Sequence, residues 1–446
     1  MSIDHWMTFS TFAEQEHFKY PHHDVYQGVV INGNMAAHAP AGLAAFLLGK
    51  TGQGTTYIID PLTHAFQHDP RYISNTEGEP KTSIQRLAIE FGSPVDELIG
   101  RKPIFPEDLA NRNILEGFVE RCVDFQKNQI KRYMLESDLV KYLDDIDAEL
   151  SPYAVVAPYF FLTETTLDQW LPINVEAARI AAANHPASDP KVFASVVVSQ
   201  GIISNTEAQD WICSELSNIP LAGYLLWVDE LDERTASGVE LRGLLRFGKK
   251  LRGDEGREVI NLHGGYFSVL AAGALGDSAL TGVAHGPEFG ESRGVVPVGG
   301  GIPISRYYVP ELHSRIRYRE AVSMFRANGW LDSADRFHSE VCDCAECIQT
   351  LAGDSENFAL FGEGNVRSVK RRHGLVRLEF PTTESKKRCL KHYLQRKHRE
   401  FLAASDAPKE VLVSNLEVGE QKFLQTVGLE GIGHLTLWRQ ILTENT

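Results

Sequence analysis

Seven short apolar runs, each hydrophobic on both faces, lie between residues 27 and 285, and helical patterns separate several of them. A strand that is apolar on both faces has to be covered on both, as the strands of a parallel sheet flanked by helices are. We therefore expect an α/β fold, a (β/α)8 TIM-like barrel with one strand unassigned. A doubly wound open sheet is the alternative, although no G-x-G-x-x-G sequence follows the first run. The runs are residues 27–32, 56–60, 153–161, 192–200, 221–229, 259–263 and 279–285.

Residues 81–150 interrupt this alternation with helical patterns. In one of these patterns five apolar residues fall on a single helical face, which indicates a helix packed on the core. The five are Leu115, Phe118, Val119, Cys122 and Phe125. The length of 446 residues allows one large core and an appended region. We predict a barrel domain at 1–335, with the insertion at about 81–150, and a separate C-terminal region at 336–446, whose sequence features are described below.

The composition is that of an ordinary soluble protein, with 43% hydrophobic and 23% charged residues. No basic segment followed by an apolar run opens the chain, so we read no signal peptide. No apolar stretch is long enough to span a bilayer, so no membrane partner is expected. Cys122, Cys213 and Cys389 are isolated, which favours buried thiols and a cytoplasmic location.

The net charge of −15 conceals a basic segment at residues 365–399, where twelve lysines and arginines face two glutamates. A concentrated positive stripe attracts phosphates whatever the sign of the whole chain. A solvated helix face is the alternative interpretation. We predict a nucleic-acid contact there that includes Arg371, Arg372, Lys387 and Arg388.

Three of the six cysteines fall within six residues, as Cys342, Cys344 and Cys347. This spacing lets three thiolates converge on one point, and a fourth ligand would complete the tetrahedron that Zn²⁺ prefers. We predict one structural zinc ion in each chain, because three thiolates and a fourth protein ligand leave no open position.

In a parallel barrel the functional groups gather at the carboxyl ends of the strands. Asp60 directly follows an apolar run, where it would act as a nucleophile or a general base; an Asp that caps the next helix is the alternative. Other runs end in amides, acids, glycines or histidines. These are Gln200, Gly201, Asp229, Glu230, His263, Gly264, Gly265 and His285, with Glu288, Glu291 and Arg293 shortly after the last run.

The order of strand–D…FQ, strand–QG, C-x-C-x-x-C and a helical H-x-L resembles the tRNA-guanine transglycosylase superfamily. The segments IDPLTHAFQ and HGPEFGESR are most similar to its branch that inserts 7-deazaguanine bases into DNA. The resemblance covers roughly residues 25–400. It implies a zinc-containing barrel that exchanges a guanine base for a 7-deazaguanine such as 7-cyano-7-deazaguanine.

The resemblance implies that Asp60, Phe66 and Gln67 belong to the family's acidic loop, which here carries two extra residues. It implies base contacts from Gln200 and Gly201, and it likens Tyr224–Glu230 to a glycine-rich family segment whose two leading glycines are replaced here. The thiolates match the family's ligands. His392 is the favoured fourth ligand, in H-Y-L, and His373 is the alternative.

One departure concerns the nucleophile, because the last run lacks the Asp that the tRNA enzymes carry there. Asp229, Asp277, Glu288 and Glu291 are the candidate substitutes, and Asp229 and Glu291 are preferred. The implied reaction is base substitution at C1′ of the sugar through a carboxylate nucleophile and a second acid.

In the implied complex, Gln200, Gly264, Gly265 and His285 contact the base, and Tyr159, Phe66 or Trp227 stacks on it. The expected partners are DNA, a 7-deazaguanine base and proteins of a DNA-modification system; tRNA is the alternative polymer.

Two other classes of function stay open. A barrel metallohydrolase would use His22, His23, Asp60, His263 and His285 as ligands, but it lacks an H-x-H on the first strand. A non-catalytic nucleic-acid-binding relative would explain the missing last-strand Asp.

Overall fold

The computed structural model describes residues 3–11, 14–15, 18, 26–51, 54–136, 151–185, 190–273, 279–287, 290–296, 304–371 and 374–444. The chain forms two compact units, Ser2–Val298 and Gly299–Thr446. The sequence placed this boundary at residue 335. The difference arises because Tyr307 and Tyr308 contact His392 on the last part of the chain, so the stretch before residue 335 folds with the C-terminal unit.

The first unit contains eight parallel strands that close into a barrel, since the first strand pairs with both the second and the last. The predicted TIM-like α/β fold is therefore confirmed. The strands are β1 (Asp4–Phe9), β2 (Gly28–Asn32), β3 (Thr56–Asp60), β4 (Ala154–Ala157), β5 (Lys191–Val198), β6 (Gly223–Val228), β7 (Glu258–Asn261) and β8 (Gly282–His285).

The helices of this unit lie between the strands and after them. They are α1 (Gly33–His38), α2 (Pro40–Thr51), α3 (Pro70–Ile73), α4 (Thr82–Phe91), α5 (Val95–Leu98), α6 (Arg112–Glu136), α7 (Leu167–Asn184), α8 (Gln200–Ser204), α9 (Thr206–Ser217), α10 (Gly238–Arg252) and α11 (Tyr266–Gly273), with 3-10 turns at Thr63–Gln67 and Pro106–Leu109. The predicted insertion corresponds to α4, α5 and α6, and the apolar face of α6 is buried as expected. Residues 137–150 of the predicted insertion lie outside the described residues.

The strand that the sequence left unassigned is β1. Its sequence D-H-W-M-T-F mixes polar and apolar residues, so it shows no continuous apolar run. Trp6 nevertheless belongs to the apolar cluster inside the barrel. A side chain at position 28 would collide with the Trp6 indole, because a Cβ there would lie 2.1 Å from it, so Gly28 is required for closure.

Alternate residues of the strands fill the barrel interior, and the intervening residues are also buried. Val30, Ile58, Val156, Leu225 and Ile260 belong to the interior cluster. Because successive side chains point to opposite faces, the neighbours of these residues face the surrounding helices. This two-sided burial is the physical origin of the apolar runs in the sequence.

Local side-chain bonds turn the chain from strand into helix at the carboxyl ends of the strands. After β5, Ser199 accepts a hydrogen bond from the backbone N–H of Ile202 and caps α8. Ser237 and Glu240 form a reciprocal capping box at the start of α10. These caps place the loops that carry the candidate site.

The second unit has two antiparallel hairpins and five helices among its described residues. They are β9 (Arg306–Val309) with β10 (Ser314–Arg317), β11 (Gly364–Arg371) with β12 (Gly374–Pro381), α12 (Tyr318–Ala327), α13 (Ala334–Glu340), α14 (Ala345–Leu351), α15 (Thr383–Asp406) and α16 (Lys409–Glu444), with 3-10 turns at Pro310–Leu312 and Ser355–Phe361. Helix α16 is kinked at Gly428, whose φ of 70° lies in the left-handed region. No helix among the described residues is both long and apolar enough to cross a membrane.

Candidate functional site

Asp60 is the last residue of β3, and its carboxylate is buried at the mouth of the barrel. Oδ1 accepts a hydrogen bond from the Tyr159 hydroxyl at 2.6 Å and from the Leu62 N–H at 3.0 Å. Burial raises the pKa of Asp60, whereas these two donors and the positive charge of Arg293 act to lower it. Asp60 is therefore removed from water, yet its ionised carboxylate still has two hydrogen-bond donors and a nearby positive charge.

Two histidines and two aromatic side chains continue from Asp60 across the mouth. Tyr159 donates its single hydroxyl proton in the hydrogen bond to Asp60. The Tyr159 oxygen therefore accepts a hydrogen bond from His64 Nδ1, 3.1 Å away. The His64 ring lies edge-on to Trp227, and Trp227 packs edge-on against His263, with ring centroids 5.2 and 4.7 Å apart. The result is a continuous line of rings from β3 to β7.

Burial lowers the pKa of His64 and of His263 well below the ordinary value, and the nearby Arg293 adds to the effect. Both rings are consequently neutral at neutral pH. His263 Nδ1 is buried and has no hydrogen-bond partner among the described residues. A buried polar atom without a partner calls for a hydrogen-bonding group to fill it, such as a water molecule or a ligand.

The loop after β3 is bonded to the loop after β4. Thr63 Oγ1 accepts from the Tyr159 N–H at 2.8 Å and donates to the Tyr159 carbonyl at 2.5 Å. Gln67 uses both ends of its amide on the backbone of Phe161, at 2.8 and 2.9 Å. Gln67 therefore holds the backbone at Phe161 rather than pointing a free amide at a ligand. Phe66 is buried against Phe91.

Residues 290–296 follow β8 and are attached to the end of β6. The Val295 N–H donates to Asp229 Oδ1 at 2.7 Å, and the Trp227 indole donates to the Arg293 carbonyl at 3.0 Å. These bonds place the Arg293 guanidinium over the Trp227 ring, 5.5 Å from its centroid. Burial raises the pKa of Asp229, and the Val295 N–H lowers it. Asp229, a predicted catalytic acid, thus holds the segment that carries Arg293.

Two non-glycine residues beside the mouth adopt left-handed backbone conformations. Leu62 has a φ of 54° and Glu230 a φ of 53°. Leu62 lies two residues after Asp60, the last residue of β3, and Glu230 directly follows Asp229, the first residue after β6. Such conformations cost free energy and are frequent at functional sites, where the surrounding contacts enforce them.

A pair of carboxylates lies beside Gly265, after β7. Glu233 is buried and accepts from the Ser268 hydroxyl at 2.5 Å, from the Ser268 N–H at 3.2 Å and from the Gly265 N–H. The Glu291 carboxylate is close to the same point, since a Cβ on Gly265 would lie 2.7 Å from Glu233 and 3.3 Å from Glu291. The pKa of Glu233 is raised to about 7, chiefly by burial and in smaller part by the negative charge of Glu291, while the hydrogen bonds from Ser268 and Gly265 act to lower it.

The other predicted base contacts have their own packing roles. Gln200 Nε2 donates to the Asp229 carbonyl at 3.1 Å. Gly201 lies against the Glu164 carboxylate, where a Cβ would lie 1.2 Å from Oε1. Gly264 lies against Val283 and Ser268.

His285 does not extend the line of rings. Ala284 belongs to the interior cluster, so strand alternation directs His285 to the helix-covered face of β8. There its Nε2 lies 2.8 Å from Nε2 of His5 on β1. The sequence selected His285 because it ends a strand, and the direction of its side chain corrects that assignment.

The second unit holds a buried cluster formed by Cys342, Cys344, Cys347 and His392. Their ligand atoms all lie within 4.8 Å of one another, and His392 Nδ1 is 3.6, 3.3 and 3.3 Å from the three sulfurs in sequence order. A tetrahedral zinc site requires ligand separations of roughly 3.5–3.8 Å. The cluster could therefore hold a metal ion, and its donor set is consistent with zinc.

His392 is held for this role by its surroundings. Nε2 lies 2.7 Å from the Tyr308 carbonyl, and because a carbonyl only accepts, Nε2 carries the proton and leaves Nδ1 for a metal. Tyr307 stacks on the ring at 4.2 Å, and its hydroxyl is 3.2 Å from the Cys347 sulfur. His373, the alternative ligand, lies outside the described residues.

The basic segment divides into the β11–β12 hairpin and helix α15. On α15, Lys387 pairs with Glu384 at 3.6 Å, and Arg388 donates to the Leu360 carbonyl at 3.4 Å. Lys397 is buried beside Glu400, 3.0 Å away, so part of the stripe stabilises the unit. Arg372 and the side chain of Arg371 lie outside the described residues.

Sequence reasoning selected Asp60 and Glu291 but missed Glu233, and it gave His64 no role. Glu233 follows the end of β6 by five residues, in the acidic stretch D-E-L-D-E, beyond the position that a search of strand ends inspects. Within the described part of the chain, Asp60, His263 and His285 do not meet in a group of metal-ligating atoms. His22, His23, Asp277 and Glu288 lie outside the described residues.

No protein-family model matches this chain, and no curated protein matches it either.

Proposed function

We propose that this chain is a base-exchange glycosyltransferase of the tRNA-guanine transglycosylase superfamily, in the branch that replaces guanine in DNA with 7-cyano-7-deazaguanine. One observation carries the proposal. A closed barrel with a buried acid at the end of β3 occurs in the same chain as a Cys₃His cluster. This is the combination that the resemblance in sequence implies.

In the first half of the reaction we assign the attack on C1′ of a deoxyguanosine to the Asp60 carboxylate, not to Asp229 or Glu291, because Asp229 accepts from the Val295 N–H and Glu291 lies beside Glu233. The C1′–oxygen bond forms as the C1′–N9 bond breaks, and its electron pair leaves with guanine. A second acid donates the proton that makes the departing guanine neutral. The Tyr159 and Leu62 donors support the proposal because they keep the attacking carboxylate oriented.

The Glu233–Glu291 pair is the proposed source of that proton. Because the pKa of Glu233 lies near 7, this residue can donate a proton at neutral pH in its acid form and accept one in its base form. In the second half the incoming deazaguanine transfers its N9 proton to this pair. N9 then attacks C1′, the bond to Asp60 breaks, and the enzyme returns to its starting state.

The line of rings at the mouth suits a planar base. Trp227 and His64 are buried rings against which a base would pack once it enters the mouth, and the buried Nδ1 of His263 is a hydrogen-bonding atom for its edge. A nucleotide has to leave the duplex to reach such a site, at a cost of a few kcal/mol. Contacts between cations of the basic segment and phosphates would offset part of that cost.

The zinc ion of this proposal is structural. Cys342, Cys344, Cys347 and His392 would hold it, and it would supply a cross-link between the turn before α14 and helix α15. All four positions are filled by protein ligands, so none of the chemistry of exchange is assigned to it.

The test is an exchange reaction. The protein is incubated with duplex DNA that carries radiolabelled guanine, with and without 7-cyano-7-deazaguanine, and the nucleosides are then analysed by mass spectrometry. We expect release of labelled guanine matched one for one by deazaguanine in the DNA. Exchange confined to tRNA would favour the tRNA enzyme, and the absence of exchange into either polymer would refute the proposal.

A further inference from the structure

The β11–β12 hairpin, Gly364–Arg371 paired with Gly374–Pro381, is the most exposed regular element of the second unit among the described residues. Val366, Leu375 and Val376 are 58%, 76% and 41% exposed. A two-stranded hairpin alone is marginally stable in water, and apolar side chains on both of its strands indicate a surface that a partner covers.

The charge of the hairpin specifies the partner. Its two strands carry Arg367, Lys370, Arg371 and Arg377 against one acid, Glu379, and Glu379 is paired with Arg319 of α12. Arg367 and Arg377 are exposed. An exposed ribbon with this excess of cations is complementary to a polyanion.

The dimensions of the hairpin specify how it would bind. The major groove of B-form DNA admits a two-stranded β-ribbon, and eight residues of strand extend about 26 Å. Leu375 and Val376 lie next to the turn, opposite Lys370 and Val369 in the strand register. Apolar residues at the end of a basic ribbon can contact bases or separate a base step, while the cations beside them hold the phosphates.

We propose that the β11–β12 hairpin enters a groove of duplex DNA, with Arg367 and Arg377 on the phosphates and Leu375 and Val376 against the bases. This inference rests on the proposed function, because it assigns the surface that grips the polymer. The sequence predicted a nucleic-acid contact along the whole basic segment, whereas this inference assigns the contact to the hairpin.

The experiment measures binding of a short duplex by fluorescence anisotropy over a range of salt concentrations. Arg367→Ala with Arg377→Ala should weaken binding about tenfold and reduce the slope of log affinity against log salt by about 2. The matched control is Arg101→Ala with Arg132→Ala, two exposed arginines of the first unit, which should bind like the unchanged protein. Equal losses in the two double variants would contradict the inference.

The apolar contacts require a second readout. A duplex of A·T pairs that contains 2-aminopurine offers no guanine to extrude and becomes brighter when a base step is opened, so we expect brightening with the unchanged protein. Leu375→Ser with Val376→Ser should abolish the brightening and leave the salt slope unchanged. Undiminished brightening with this variant would overturn the groove insertion, as would binding of RNA in preference to duplex DNA. If the hairpin variants bind DNA normally while guanine exchange proceeds, only this inference fails. If the unchanged protein exchanges no base, the proposed function fails.

Discussion

At the scale of single residues, the Glu233–Glu291 pair determines how the proposed reaction responds to pH. Glu233 has to be protonated to release guanine, and its pKa lies near 7. Single-turnover guanine release should therefore fall as the pH rises through about 7. Glu291→Gln removes a neighbouring negative charge and should move this midpoint to lower pH. A residue that only stabilises the fold would produce no such shift, so an unmoved midpoint would exclude the pair.

The same pKa affects stability with a defined sign. The pKa of Glu233 rises from 4.5 in the unfolded chain to about 7 in the fold, so its contribution is complete below pH 4.5 and is lost as the pH rises through about 7. Relative to Glu233→Gln, the unchanged protein should lose about 3 kcal/mol of unfolding free energy over that interval. Urea unfolding of both proteins at several pH values measures this difference, and parallel pH curves would contradict it.

The residue scale also shows where prediction from sequence ends. Asp60 was found because it ends a strand, and a strand end is visible in a pattern of apolar residues. Glu233 was missed because tertiary folding, rather than sequence position, brings it to Ser268 and Gly265. His285 was selected by the same rule as Asp60, but side chains alternate along β8, and this alternation directs His285 away from the barrel interior.

At the scale of elements, the Cys₃His cluster joins the turn before α14 to α15. Cys344→Ala should remove the bound zinc and cost about 3 kcal/mol or more of unfolding free energy, because metal binding in such sites is coupled to folding. Cys389→Ala is the matched control, since Cys389 is buried on α15 and lies outside the cluster. Elemental analysis and thermal unfolding distinguish the two, and full zinc content in Cys344→Ala would show that the cluster is not the site.

Elements were predictable where one kind of pattern extended over their whole length. Seven strands and the apolar face of α6 follow from hydrophobic periodicity. Strand β1 was not found, because the barrel closure that buries it depends on pairing with β8. The basic segment was read as one stripe, whereas Lys397 is buried beside Glu400 and the hairpin is exposed.

At the scale of the whole molecule, each compact unit has one proposed task. The barrel unit carries the acids, and the C-terminal unit carries the Cys₃His cluster and the basic hairpin. The sequence predicted two regions with a boundary at residue 335, whereas the compact units divide at Val298. The stacking of Tyr307 on His392 joins residues that are far apart in the sequence, so no local sequence pattern indicates it. The division predicts that substitutions in the hairpin change affinity for the polymer, whereas substitutions at Asp60 change the chemical step.

The central claim is that the Asp60 carboxylate attacks C1′ of the sugar. The direct measurement is to mix the protein with duplex DNA in the absence of a deazaguanine, quench with acid, digest with a protease and map any protein–DNA adduct by mass spectrometry. We expect an adduct on the peptide that contains Asp60, lost in Asp60→Asn and retained in Asp69→Asn, a partly exposed acid that follows the same loop. An adduct on Glu233, Glu291 or Asp229, or an adduct that persists in Asp60→Asn, would contradict it.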